Sequence, residues 1–161
     1  LKSIGMSLSK DTIIDYISYI INSNMIFKVE NYYASFVDKE STPKYYFMDN
    51  GILNLFIIDK ETRLLENAVA LYLKRKGYDF YYIKSSKTGI DIDFYVPDTN
   101  ELIQVAYSID NLETEKREAN NFLKWNDASS RNMIITFNEK RTIELKDKTI
   151  DVIPIYELLT K

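Results

Sequence analysis

The residues best placed to do chemistry are carboxylates. Asp91 and Asp93 alternate with Ile90, Ile92 and Phe94 in the run Ile90–Val96. Successive side chains of an extended strand point to opposite faces. Asp91, Asp93 and Tyr95 therefore share one face, and Ile92, Phe94 and Val96 the other. Leu102 to Ile109 alternates in the same way, with Gln104, Ala106 and Ser108 opposite Ile103, Val105 and Tyr107. Pairing of the two runs across the turn Pro97–Asn100 puts Asp93 into one cleft with Gln104 and Ala106. Glu66, on the preceding helix, reaches the same cleft. Glu66, Asp91 and Asp93 are the candidate ligands for a hard divalent cation such as Mg or Mn, which favours oxygen donors. The set is an acid short of a full cation site, so the expectation is a chain with no resident cofactor. Lys84 and Lys87 lie near the cleft but read as solvated loop lysines.

The other familiar chemistries are removed by composition. The 161 residues contain neither histidine nor cysteine. That excludes His-based triads, thiolate nucleophiles, disulfides and the usual zinc ligand sets. Four glycines, none clustered, build neither a phosphate loop nor a dinucleotide fingerprint, so ATP is expected only on a domain upstream of this chain. A net charge of −3 and a pI near 5.1 mean that any nucleic-acid contact must rest on a local basic patch. No apolar run reaches the ~18 residues of a membrane span and no signal peptide is visible. The expectation is a cytoplasmic protein with no membrane partner. The sequence opens at Leu1 in a helix-like phrase and reads as a segment of a longer protein.

The elements that must position these groups fall into two parts. Ser9 caps a helix whose Ile13, Ile14, Ile17, Ile20 and Ile21 recur three and four apart, one apolar face. Asn22 to Asn24 end it. Met25–Val29 and Lys44–Met48 read as strands, joined by the polar stretch Asp38–Pro43, and Asp49-Asn50-Gly51 reads as a turn. Leu1–Gly5 ahead of the capped helix has the phrasing of a helix-turn-helix. Residues 1–58 are thus expected to be a partial winged helix. Residues 59–161 begin with a helix over Leu64–Lys76, its apolar face Leu65, Val69, Tyr72 and Leu73, with Gly77 after it. Strands follow over Phe80–Ile83, Ile90–Val96 and Leu102–Ile109, then a helix over Glu113–Trp125, a strand over Met133–Phe137 and a last strand over Val152–Tyr156. The fold class is mixed α/β, with one helical crossover between parallel strands.

A helix Glu, an Asp late in the second of three strands and an acid-x-Lys pair in the third resembles the PD-(D/E)XK nucleases. Glu66 stands at the helix-Glu place and Asp93 at the Asp place, while Gln104 replaces the acid and Ala106 the Lys. The resemblance implies a restriction-endonuclease-like α-β-β-β-α-β domain over 59–161 with nuclease chemistry lost: an amide brings no charge to Mg, and Ala does nothing for water. The whole chain resembles the C-terminal region of a family of prokaryotic AAA-type ATPases. The phrases that carry this are Lys44-Tyr-Tyr-Phe-Met-Asp-Asn-Gly51, Leu65-Glu-Asn, Gly89-Ile-Asp-Ile-Asp-Phe94, Ile103-Gln-Val-Ala-Tyr107 and Glu113-Thr-x-x-Arg-Glu118. The resemblance implies an ATPase domain upstream of Leu1, as partner to this chain.

Three functions follow as expectations. The first is a non-catalytic recognition or regulatory module of such an ATPase, holding a protein partner or nucleic acid. The second is a residual metal-dependent nuclease on Glu66, Asp91 and Asp93. The third is a winged-helix DNA-binding module. The exposed helix face offers Lys10, Asp11, Asp15, Ser18 and Asn22, and two acids there repel phosphate. Tyr32, Tyr33, Tyr45 and Tyr46 suit base stacking and core packing equally.

Overall fold

Helix α1 (Lys10–Asn22) begins where its cap directs: Ser9 Oγ accepts the Thr12 N–H at 3.1 Å. Asn24, left-handed at φ 56°, turns the chain out of it. The computed structural model describes residues 9–34, 42–58 and 61–160. The Leu1–Gly5 phrase, most of the Asp38–Pro43 connection and the far side of the expected boundary at 58/59 lie outside those residues. Strands β1 (Ile26–Val29) and β2 (Lys44–Phe47) pair antiparallel as a hairpin.

Asp49-Asn50-Gly51 is not a turn but the start of a helix, α2 (Asn50–Phe56). Asp49 is its N-cap, accepting the Ile52 N–H at 3.0 Å. The same Asp that favours turns satisfies a helix's free donors equally well. Helix α3 (Glu61–Arg75) follows and buries Leu65, Val69 and Leu73. Gly77, at φ +76°, ends it in a conformation that other residues avoid.

A six-stranded mixed sheet comes next: β3 (Tyr81–Ser85), β4 (Ile90–Val96), β5 (Glu101–Val105), β6 (Arg131–Thr136), β7 (Arg141–Leu145) and β8 (Lys148–Pro154). Its order is β3-β4-β5-β6-β8-β7. The first three strands meander antiparallel, and β5 pairs parallel with β6 across helix α4 (Leu112–Phe122). This is the crossover expected from the sequence. Strand β7 was not foreseen. Its residues alternate half-buried and exposed on the sheet's outer edge, so no continuous apolar run marks it. The last strand accordingly runs over Lys148–Pro154 rather than Val152–Tyr156, and a short helix, α5 (Ile155–Leu159), closes the described chain.

Two cores flank the sheet. On one side Leu65, Val69 and Leu73 of α3 pack with Phe27 and Tyr46 of the hairpin and Phe94 of β4. On the other, Ala119 and Phe122 of α4 pack with Ile92, Ile134 and Ile150. Ile92 and Phe94 thus fall in different cores, against the simple alternation expected of β4. The β3–β4 register shifts between Tyr81 and Ile83. A bulge of this kind adds one residue and re-aims its neighbours.

Two asparagines fasten the hairpin to the rest. Asn67, buried on α3, accepts the Phe47 N–H at 2.7 Å and donates to Phe47 O at 3.0 Å and Asn50 Oδ1 at 2.7 Å. Its amide does for Phe47 what a neighbouring strand would. Asn31 does the same at the sheet's edge, donating to Lys84 O and accepting Lys84 N–H, while Glu30 and Tyr32 bond to the backbone of Tyr82. Asn67→Ala strands three polar partners. It is expected to lower unfolding free energy in urea by about 2–3 kcal/mol. Asn31→Ala, whose partners water can reach, should cost under about 1 kcal/mol. Equal costs would mean that Asn67 is not the buried fastening.

Candidate functional site

The strands β4 and β5 part company at Asp93. Their ladder runs Val96↔Glu101, Tyr95↔Leu102 and Phe94↔Ile103 and goes no further. At the next step side chains take over. Asp93 N–H donates to Gln104 Oε1 at 2.8 Å, and Val105 N–H donates to Asp93 Oδ2 at 3.0 Å. Buried backbone donors must be paired, so Asp93 and Gln104 are held by the backbone they serve. The splay opens a cleft of about 460 Å³, bordered by Glu66, Asp91, Asp93, Gln104 and Glu118 among others.

Into this cleft β2 sends Lys44. Its ammonium donates to Asp93 Oδ1 at 3.2 Å and Glu66 Oε1 at 3.3 Å and lies over the Tyr82 ring, 5.4 Å from its centroid. Tyr46, two residues on and so on the same face, donates its hydroxyl to Glu66 Oε1 at 2.7 Å. The network continues through the splay. Gln104 Nε2 donates to Glu118 Oε2 at 2.7 Å, and Arg117 donates to Glu118 Oε1. At the rim Lys84 pairs with Asp91 at 2.6 Å, both well exposed.

Charge and burial set the protonation. Burial raises the Asp93 carboxyl from its ordinary 3.8 to about 6; Lys44 opposes this, and the neighbouring Glu66 adds to it. One ammonium serves two carboxylates, so the second negative charge is poorly compensated. Burial disfavours the Lys44 ammonium, yet Asp93 and Glu66 outweigh it and raise its pKa above the usual lysine value. The Tyr46 hydroxyl, pushed well up by burial and by Glu66, stays protonated as a donor.

The structure brings together Glu66, Asp93 and Gln104 as the sequence led one to expect. Asp91 stays at the rim with Lys84 instead of joining Asp93, and among the described residues no three His, Cys, Asp or Glu side chains group to hold a metal ion. Ala106 does not border the cleft; it packs with Leu102 in the core under α4, on the side of the chain it shares with Gln104. Glu66 lies in the second turn of α3, where its partners are Tyr46 and Lys44. Lys87 stands exposed in the β3–β4 turn. The groups that sequence reasoning missed are Lys44, Tyr46 and Glu118. The i,i+2 spacing of Lys44 and Tyr46 on a strand was the available signal: a lysine on the same face as a residue bound for the core.

Comparison with known proteins adds two findings. Residues 1–63 match a domain of unknown function (DUF8612). The uncharacterized protein MJ1544 of Methanocaldococcus jannaschii is 29% identical over 173 aligned residues, covering 98% of this chain and 38% of that protein. The chain therefore spans well under half the length of the relative it matches. No solved structure matches it.

The raised Asp93 pKa has a definite sign. Between pH 4 and 6 the folded protein holds a proton that the unfolded chain has lost, so this contribution to stability is full below about pH 4 and is lost as pH rises through about 6. Asp93→Asn cannot ionise. The stability of wild type relative to this variant, from urea unfolding at steps from pH 4 to 7.5, should fall by on the order of 2–3 kcal/mol. A constant difference would place the titration of Asp93 elsewhere.

Proposed function

We propose that this chain is a non-catalytic recognition module, the C-terminal part of a AAA-type ATPase, which makes protein contacts on a nuclease-like frame. One observation carries the reading. The ammonium of Lys44 lies between Glu66 and Asp93, where a divalent cation would have to bridge them. A lysine there satisfies the carboxylates and closes the place to metal. The neighbouring amide offers little more, since Gln104 Oε1 is turned to the Asp93 N–H and its Nε2 to Glu118. The α3–β3–β4–β5–α4–β6 order supports the restriction-endonuclease-like reading of the frame, and α1 followed by a hairpin supports a winged-helix reading of the first part. Fold likeness is itself only an analogy for function. Protein contact is preferred over DNA because α1 exposes Asp11 and Asp15 beside its apolar residues, and carboxylates repel phosphate.

A second reading has one observation in its favour. Lys44 supplies beside Glu66 and Asp93 the ammonium that Ala106 withholds, which would suit a residual metal-dependent nuclease with a transplanted lysine. Titration calorimetry with Mn²⁺ and a cleavage assay on supercoiled DNA separate the two. The recognition reading expects no saturable Mn²⁺ binding below millimolar concentration and no nicking with Mg²⁺ or Mn²⁺. Micromolar binding and cleavage, both lost in Asp93→Ala, would establish the nuclease instead. Salt-sensitive binding of labelled oligonucleotides without cleavage would keep the recognition role but move its partner to nucleic acid.

A further inference from the structure

The cations around the cleft at Asp93 are paired with carboxylates. Those at the end of α3 are not. There the chain runs Lys74-Arg75-Lys76. The Lys74 ammonium lies over the Phe27 ring, 4.8 Å from its centroid. Arg75 and Lys76 are exposed, and among the described residues neither meets a carboxylate. Arg117, Arg131 and Arg141 each do. Both free cations border a groove of about 600 Å³ between the start of α2, the last two turns of α3 and the end of α5. Its walls are apolar. Ala68, Leu71 and Tyr72 line it from α3 at i, i+3 and i+4, and Leu159, 53% exposed, lines it from α5. The polar groups on the α2 side are already engaged: Asp49 caps its helix, and Asn50 donates to Leu64 O and accepts from Asn67. What stays open is the Arg75 guanidinium and the Lys76 ammonium, the latter held over the Tyr72 ring at 5.6 Å. A helix dipole favours cations at its C-terminal end, but that preference accounts for no apolar groove beside them.

We propose, on the reading of this chain as a recognition module, that the groove binds an acidic segment of a partner protein: an Asp or Glu carboxylate on Arg75 and Lys76, and a neighbouring apolar side chain against Leu71 and Leu159. Charge selects the sign of the ligand. Among the described residues Asp49 is the one acid at the groove, and its Oδ1 accepts the Ile52 N–H. Two unpaired cations are thus gathered at one place in a protein whose net charge is −3. A guanidinium matches a carboxylate in two parallel hydrogen bonds, and the ammonium beside it adds a point charge. The walls select polypeptide over nucleic acid. A phosphate backbone would satisfy the cations but would leave Leu71 and Leu159 against a charged strand, whereas a peptide sets an apolar side chain next to its acid. The volume is that of sites which enclose a small ligand, so it takes a short segment rather than a whole domain face.

Selection of a random peptide library displayed on phage against the 161-residue chain tests this, each recovered peptide then being synthesised and titrated by fluorescence anisotropy. The recovered peptides should carry Asp or Glu next to Leu, Ile or Phe. Their affinity should fall with added salt and by about tenfold in Arg75→Gln combined with Lys76→Gln, the loss of two exposed charge contacts. Leu159→Gln should weaken them as well. Arg75 and Lys76 are exposed, so the Tm of the double variant should match wild type. Lys116→Gln combined with Lys146→Gln, an equal loss of charge elsewhere on the surface, should bind the peptides as wild type does. Three results would overturn the proposal: no peptide enriched, enriched peptides without acids, or acidic peptides that bind the Arg75/Lys76 variant as tightly as wild type. A labelled oligonucleotide whose binding is lost in that variant, with no peptide recovered, would overturn it too and give the groove to nucleic acid. DNA nicking by the same preparations is read separately. Nicking by a chain that selects acidic peptides would remove the non-catalytic reading and keep the groove; a chain that neither nicks nor selects them would keep that reading and lose the groove.

Discussion

Lys44 is a single cation set between two carboxylates that arrive from different parts of the fold. Glu66 comes from α3, Asp93 from β4 and Lys44 itself from the hairpin, and the ammonium is 3.3 and 3.2 Å from the two acids. Each carboxylate also has a donor that is not Lys44: the Tyr46 hydroxyl for Glu66 and the Val105 N–H for Asp93. The acids therefore hold their places by neutral hydrogen bonds and need the lysine for charge. A half-buried acid pair with no cation would be costly, because each desolvated charge needs compensation. The hairpin is thereby committed to the sheet at one point by charge, as it is at Asn67 by hydrogen bonds and at Phe27 by apolar packing.

The splay between β4 and β5 follows from the same arrangement. A sheet that opens must find partners for the backbone groups it frees, and here the two side chains at the fork supply them. Asp93 takes the Val105 N–H, and Gln104 takes the Asp93 N–H. Gln104 is better suited to this than the acid expected at its place. It accepts through its oxygen and donates through its nitrogen, and so passes the network on to the buried Glu118. A Glu at 104 would set a second carboxylate against Glu118 with no proton between them. The residue that reads as a lost catalytic acid is thus the one that lets the fork close its hydrogen bonds.

What was legible in the sequence was local. Ser9 as a cap, Gly77 after α3, the span of β4 and the crossover through α4 all follow from patterns within about a dozen residues, and the structure has them. Glu66, Asp93 and Gln104 were found because helix and strand periodicity put them on converging faces. The failures have equally physical causes. Asp49-Asn50-Gly51 fits a turn and a helix start alike. Strand β7 lies on an edge, half wet, and shows no hydrophobic signature. A bulge in β4 breaks the alternation that placed Ile92 with Phe94. Lys44 lies 22 residues from Glu66 and 49 from Asp93, and no periodicity reaches that far. Ala106 was placed in the cleft by assuming that β5 stays paired with β4 through residue 106, whereas the ladder stops at Ile103.

The two halves of the described chain use their apolar residues differently, and that difference bears on what the fold is for. The sheet and its flanking helices close over two cores, with Phe94, Phe122 and Ile134 fully buried, and the cleft at Asp93 is lined by ion pairs already made. The hairpin, α1 and α2 hold three buried anchors to that body, Phe27, Val29 and Tyr46, and leave most of their remaining large side chains exposed. Monomeric proteins seldom keep contiguous apolar surface in water without a use for it. The carboxylates therefore lie in the part that closes over its own apolar residues, while the exposed apolar surface lies in the part that supplies their cation, Lys44.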